Sequence, residues 1–249
     1  FFQNDNITYV SCKVDPISDI EVINLELILA DLESVEKRLQ RVGKMAKQRD
    51  KDALVEEPVL IKLRDAFEEE LPARSVEFTE EERRVVKGLH LLTAKPMLYV
   101  ANLAEDEIAQ ADENEYVQKV REFEKADNEQ VIVICAKIEE EMAELDDEEK
   151  AMFIEELGIQ ESGLDQLVKA AYNLLGLATY FTAGVQEVRA WTFKKGMKAP
   201  QCAGIIHSDF ERGFIRAETV AYEELVEAGS MATAKEAGKV RQEGKEYLV

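Results

Sequence analysis

Two short apolar runs, "PMLYVA" at 96–101 and "QVIVIC" at 130–135, flank a stretch at 113–126 with Tyr116, Val117, Val120 and Phe123 at helical spacing. Runs of this length and apolar content read as buried strands. A strand, a helix and a second strand in that order imply a parallel pair, because a parallel connection has to cross the sheet. Helical signals at 147–157 and 163–176 continue the alternation. The fold class expected here is α/β. Ligands of such sheets bind at the carboxyl ends of the strands.

Ahead of this unit, "DPISDIEVINLELILADLESVEKRLQRVGKMAKQRDKD" places Leu25, Ile28, Leu32, Val35, Leu39, Val42 and Ala46 three and four residues apart. That is one seam of a coiled coil about three heptads long. Asp19 is the expected N-cap. A second helix is expected from Pro58, carrying Val59, Leu60, Leu63, Ala66, Phe67 and Leu71, so that the two form an antiparallel hairpin with charged outer faces. Thr79 and Glu82 make a capping-box pattern before a helix expected to end near Thr93. Residues 1–14 read as a short strand and loop.

The composition changes near Gly176. "TYFTAGVQEVRAWTF" alternates like a hairpin turning at Ala183 and Gly184, followed by short strand signals, glycines and one helix, "AYEELVEAG". This predicts a second, α+β domain.

The whole chain has 249 residues, is 46% hydrophobic and carries a net charge of −21. It can bury a sizeable core, and its acidity makes it a poor general binder of nucleic acid, since phosphate neutralisation drives that binding. Any RNA contact needs a local basic patch. Lys37, Arg38, Arg41, Lys44, Lys47, Arg49 and Lys51 supply one at the hairpin tip, though a solvated helix end has the same composition. Cys12, Cys135 and Cys202 are scattered and odd in number, which argues against a disulfide framework and for a reducing cytoplasm. No apolar run is long enough for a membrane span, and the first residues lack the pattern of a signal peptide. The acidic run at 139–149 reads as a solvated helix start rather than a metal site. His207 is expected to pack or cap a strand, and Trp191 to be a core aromatic.

The strand ends carry the chemistry. The first run ends in Asn102-Leu103-Ala104-Glu105, the second in Cys135-Ala136-Lys137. Ordinary strand-end loops have similar contents. In Ras-like P-loop nucleotidases, however, the corresponding loops carry N-K-x-D and S-A-K and hold the base. Guanine offers two donors, N1–H and the exocyclic amine, to that Asp, whereas adenine offers an N1 acceptor and a donor amine. Glu105 is longer and spoils the bidentate fit, and Leu103 keeps apolar cover while losing a charge. An unpaired polar group in a site rejects a ligand strongly, so adenine is expected over guanine.

"NDNIT", "KVDPISDIEVINLELILADLESVEKR", "YVANLAEDE", "AELDDEE", "TYFTAGVQEVRAWTF" and "IIHSDFERGFIRAETVAYEEL" together resemble the YchF/Obg-like ATPase family, bacterial type, over essentially the whole chain. The resemblance implies a partial Ras-like P-loop G domain with an inserted antiparallel coiled-coil arm and a C-terminal TGS domain of β-grasp type. The expected divisions are 1–18 and 79–177 for the G domain, 19–78 for the arm and 178–249 for the TGS domain. It also implies ATP, or more weakly GTP, with Mg²⁺, and slow hydrolysis, because the family lacks a polar catalytic glutamine. Asn102 would hydrogen-bond the base, the Leu103 backbone and side chain would contact adenine, and the Ala136 backbone would meet the base edge. Glu105 would set base choice, Cys135 would lie beside the base, and Phe2 would pack on its far side. The implied partner is the ribosome, through its large subunit, with no membrane contact. A non-catalytic adaptor using the arm and TGS domain is the alternative. The family's G-x-x-x-x-G-K-S loop, switch segments and D-x-x-G are not found in the sequence, so these residues alone are expected to be inactive.

Overall fold

A computed structural model describes residues 14–124, 130–184 and 187–249. Phe2, Cys12 and the strand expected over the first residues lie outside them. The chain divides into two units, Phe1–Leu174 and Leu175–Val249.

The first unit opens with helix α1, Pro16–Lys47, and helix α2, Lys51–Glu68. Asp15, not Asp19, caps α1, accepting the Ser18 N–H. Pro16 suits the first helical position, where its missing N–H costs nothing, and this moves the start upstream. Helix α2 likewise begins seven residues before the expected Pro58, because Asp50 caps it by accepting the Ala53 N–H at 2.9 Å. Pro58 sits on the exposed side inside the helix, where the lost backbone bond is tolerated.

The two helices pack as a hairpin across Gln48–Asp50. The core holds Ile28, Val35, Val42 and Ala46 against Ala53, Val59, Leu60, Leu63 and Phe67. Arg38 forks onto Glu56 with Nε–Oε1 at 2.6 Å and Nη2–Oε2 at 2.9 Å, which fixes the register. At 1.5 Å per residue, α1 is about 48 Å long and α2 about 27 Å. The first third of α1 therefore outruns its partner, and Leu25, expected in the seam, is 38% exposed. Leu71, beyond the end of α2, is exposed as well.

Helix α3, Glu80–Leu89, has the expected capping box: Glu82 N–H donates to Thr79 Oγ1, and Thr79 N–H to Glu82 Oε2. It stops at His90, which is left-handed (φ 54°), short of Thr93. Thr93 instead belongs to a buried polar node. Asp31 on α1, 3% exposed, accepts from Leu92 N–H (2.9 Å), Thr93 N–H (2.7 Å) and Thr93 Oγ1–H (2.7 Å). Thr93 Oγ1 accepts in turn from Ala73 N–H at 3.1 Å.

Strand β1, Leu98–Asn102, pairs in parallel with β2, Gln130–Ile134, with Asn102 opposite Ile134. Helix α4, Glu115–Glu124, makes the crossover. Helices α5, Ala136–Met142, α6, Asp147–Glu156, and α7, Gly163–Leu174, follow. Ala101, Leu103, Val117 and Val133 form the local core. The strands are less buried than their sequences suggest: Val100 is 41% exposed. Among the described residues no third strand extends the pair.

In the second unit, strands β3, Leu177–Ala183, and β4, Val188–Lys194, form the expected antiparallel hairpin, closed where Gly184 N–H donates to the Glu187 carbonyl at 2.9 Å. Helices α8, Ala199–Ile206, and α9, Ser208–Arg212, come next. Strand β5, Ala217–Thr219, pairs with β6, Arg241–Glu243, around helices α10, Tyr222–Ala228, and α11, Met231–Glu236. One helix was expected after the hairpin, and four are present. Nothing in the sequence marks α8 as helical, because "APQCAGII" is apolar and β-branched at its end and reads equally well as strand. His207 caps α9, its Nδ1 accepting the Asp209 N–H, rather than a strand. Trp191 is only half-buried; its Nε1–H donates to Thr182 Oγ1 at 2.9 Å, and Arg189 lies 4.1 Å over its ring.

Candidate functional site

The parallel register puts the carboxyl ends of β1 and β2 side by side, so the loops after them emerge at one edge. Asn102 closes β1. Its Oδ1 accepts the Ala136 N–H at 3.0 Å, bridging residues 34 positions apart in sequence. This N–H lies in the first turn of α5, where it has no intrahelical partner, so the Asn102 side chain supplies its acceptor and ties the two strand tips together.

Leu103 N–H donates to the Ile134 carbonyl at 2.9 Å, extending the ladder one step beyond the strands. Its side chain is 1% exposed and packs with Ala101, Val117 and Val133. The Leu103 side chain thus faces the core and not the loop surface. Cys135 is buried with Ile138 and Met142 and bears a free thiol. Ala136 and Glu105 are exposed. Phe2 lies outside the described residues, so of the expected site residues five come together here.

Glu107, Lys137, Glu139 and Gly163, none of them among the expected site residues, also shape these loops. Glu107 Oε2 accepts the Ala104 N–H at 3.2 Å, and its Oε1 accepts from Asn114 Nδ2 at 3.2 Å, which folds the chain after Leu103 back on itself. Lys137 Nζ lies 2.6 Å from Glu105 Oε2, joining the two loops at their outer edge. That bond first, and the charge of Glu105 second, hold the Lys137 ammonium above its ordinary pKa. Glu139 Oε1 and Oε2 accept the N–H groups of Gly163 (2.7 Å) and Leu164 (3.2 Å), so α5 caps α7. A Cβ on Gly163 would come within 2.7 Å of Ile134 Cγ2, so only glycine lets α7 approach the end of β2 this closely. The signal for Glu139 and Gly163 was a glycine opening a helix with a carboxylate upstream, and it becomes legible only once 136–142 is seen to be helical.

The acidic run divides into this cap and a capping box at Asp146 and Glu149, as a helix start predicts. Among the described residues no group of three or more His, Cys, Asp or Glu stands where it could hold a metal ion. No helix among them is long and apolar enough to cross a membrane.

At the hairpin tip, Lys37 pairs with Glu33 and Arg38 with Glu56. Arg41, Lys44, Lys47, Arg49 and Lys51 are exposed, with no ion pair among the described residues.

Comparison with known proteins places this geometry. The chain is 73% identical over 248 residues to the "Ribosome-binding ATPase YchF" of Bacillus subtilis (strain 168), covering all of this chain and 68% of that protein. The chain belongs to the YchF family. The YchF protein of Escherichia coli O157:H7, also named "Ribosome-binding ATPase YchF", is 49% identical over the same length, again with 68% of it covered. The family model YchF-GTPase_C, described as a protein of unknown function (DUF933), matches residues 177–249, nearly all of the second unit. The structure titled "Structure of the Schizosaccharomyces pombe YchF GTPase" superimposes with a TM-score of 0.84 at 32% identity, over 99% of this chain and 67% of that one. The mixed helix and strand architecture is therefore that of a YchF protein.

Proposed function

We propose that this YchF-family protein is a cytoplasmic, ribosome-associated, nucleotide-dependent switch that binds ATP in preference to GTP and hydrolyses it slowly. The observation that carries the reading is the bond between Asn102 Oδ1 and Ala136 N–H at the tips of two neighbouring parallel strands. It makes one recognition edge from two loops, at the place where open parallel sheets take ligands. The relatives' names, which join ribosome binding to ATPase activity, support the rest.

In this reading Asn102 and the Ala136 backbone meet the purine edge, and Glu105 sets base choice. Leu103 and Cys135 fill the floor beneath. Mg²⁺ would arrive with the nucleotide's phosphates and neutralise their charge. The α1–α2 hairpin is the coiled-coil arm of a Ras-like G domain, and the second unit is the TGS domain of β-grasp type. The arm-tip cations Arg41, Lys44, Lys47, Arg49 and Lys51 would contact RNA of the large subunit, as local positive charge on an acidic protein can.

Isothermal titration of the full-length protein with ATP and GTP tests this. ATP should bind more tightly, and Asn102→Ala should weaken it roughly tenfold with helicity unchanged. Tighter binding of GTP defeats the adenine preference, and unaltered ATP affinity in the variant defeats the site. The unpaired tip cations also favour a second reading, an adaptor whose ribosome association is indifferent to nucleotide; co-sedimentation with and without ATP separates the two.

A further inference from the structure

We propose that Lys137 determines base specificity by withholding the Glu105 carboxylate from a guanine. The inference rests on the base-site reading above and adds to it a residue that discriminates between purines.

The chemistry concerns the two purine edges. Guanine presents N1–H and its exocyclic amine side by side, and a carboxylate accepts from both. Adenine presents the N1 lone pair in that place, which a carboxylate repels. A free carboxylate three residues past Asn102 would therefore favour guanine and oppose adenine; the extra methylene of glutamate loosens the bidentate fit but leaves the negative charge in place. Glu105 is not free. Its Oε2 lies 2.6 Å from Lys137 Nζ, and among the described residues it has no other partner. Lys137 is held in place from its own helix: Glu141, one turn on, is 3.6 Å from the same nitrogen. Lys137 also directly follows Ala136, whose N–H is fixed by Asn102, so its stem starts at the recognition edge itself. The ion pair thus spans the two base loops at the position where a guanine's donor edge would seek its acceptor.

The pair is solvent-exposed, with side-chain exposures of 64% and 44%. Such pairs shift equilibria only a few-fold and are screened by salt. This sets both the expected size and the readout. The quantity to measure is the ratio of the GTP Kd to the ATP Kd, in which the triphosphate's own contribution and salt dependence cancel. In the full-length protein, Lys137→Met should lower that ratio roughly fivefold, by strengthening GTP and weakening ATP. Lys137→Met combined with Glu105→Gln should restore it. In the unaltered protein, raising salt from about 0.05 to about 0.5 M should lower the ratio, and in Lys137→Met it should not.

A ratio that stays constant in Lys137→Met while both nucleotides still bind overturns the inference, as does a ratio that rises. If Lys137→Met fails to fold, the salt series on the unaltered protein decides alone: a flat ratio overturns the proposal. Failure of the unaltered protein to bind either nucleotide overturns the base-site reading itself, a result distinct from these.

Discussion

At the scale of single residues, Tyr180 gives the clearest titration. Its O–H donates to the Cys202 carbonyl at 2.8 Å. Burial first, and then Cys202, push its pKa from 10.0 up to about 12. The folded state holds this proton longer than the unfolded chain does. The contribution to stability is therefore complete below pH 10 and is lost as pH rises from there through about 12. Solvent screening limits it to about 1 kcal/mol. Denaturant midpoints of the second unit, followed by Trp191 fluorescence, should fall across that window, and fall less in Tyr180→Phe. The meeting of the two strand ends was legible at this scale. Asn102 and Ala136 each end an apolar run, and two such ends joined by one crossover have to be neighbours. The inward turn of Leu103 was not legible, because a loop residue's facing depends on whether the ladder continues, and here it runs one bond further, to Ile134.

At the scale of elements, the decisive contact is Asp31 with Leu92 and Thr93. Asp31→Ala would leave two backbone donors and a hydroxyl buried without their acceptor. The expected cost is about 3 kcal/mol. It should appear as a lower denaturant midpoint in the far-ultraviolet helix signal, which the long hairpin dominates, while Trp191 in the second unit reports little change. A serine at the same place should recover only part of the loss. Capping boxes were read correctly at Thr79 because the pattern is local. The node at Asp31 joins residues about sixty apart in sequence, and nothing in a helical repeat marks one aspartate as buried. Both hairpin helices began earlier than expected for a related reason. A side-chain cap sets each start: Asp15, followed by Pro16, displaces the expected Asp19 in α1, and Asp50 outweighs Pro58 in α2.

At the scale of the molecule, charge sets the terms. The net charge of −21 opposes contact with phosphate everywhere except at a cluster such as the hairpin tip. Lys44→Glu with Lys47→Glu should weaken ribosome co-sedimentation and flatten its dependence on log salt by about two. Nucleotide affinity should stay as it was. Equal weakening at every salt concentration would show that the tip carries no phosphate contact. The α/β order and the hairpin follow from periodicity and spacing. Of the four helices after the β3–β4 hairpin only α10 does; α8 is apolar enough to read as strand, and α9 and α11 are only five and six residues long.

Helix α1 runs unbroken from Pro16 to Lys47, and Asp31 sits almost at its midpoint. From that anchor the rod extends about 23 Å one way and about 24 Å the other. It is a balanced beam on a polar pivot. A nudge of one ångström sideways at the tip, if the beam turns about Asp31, becomes an equal and opposite swing at the far end.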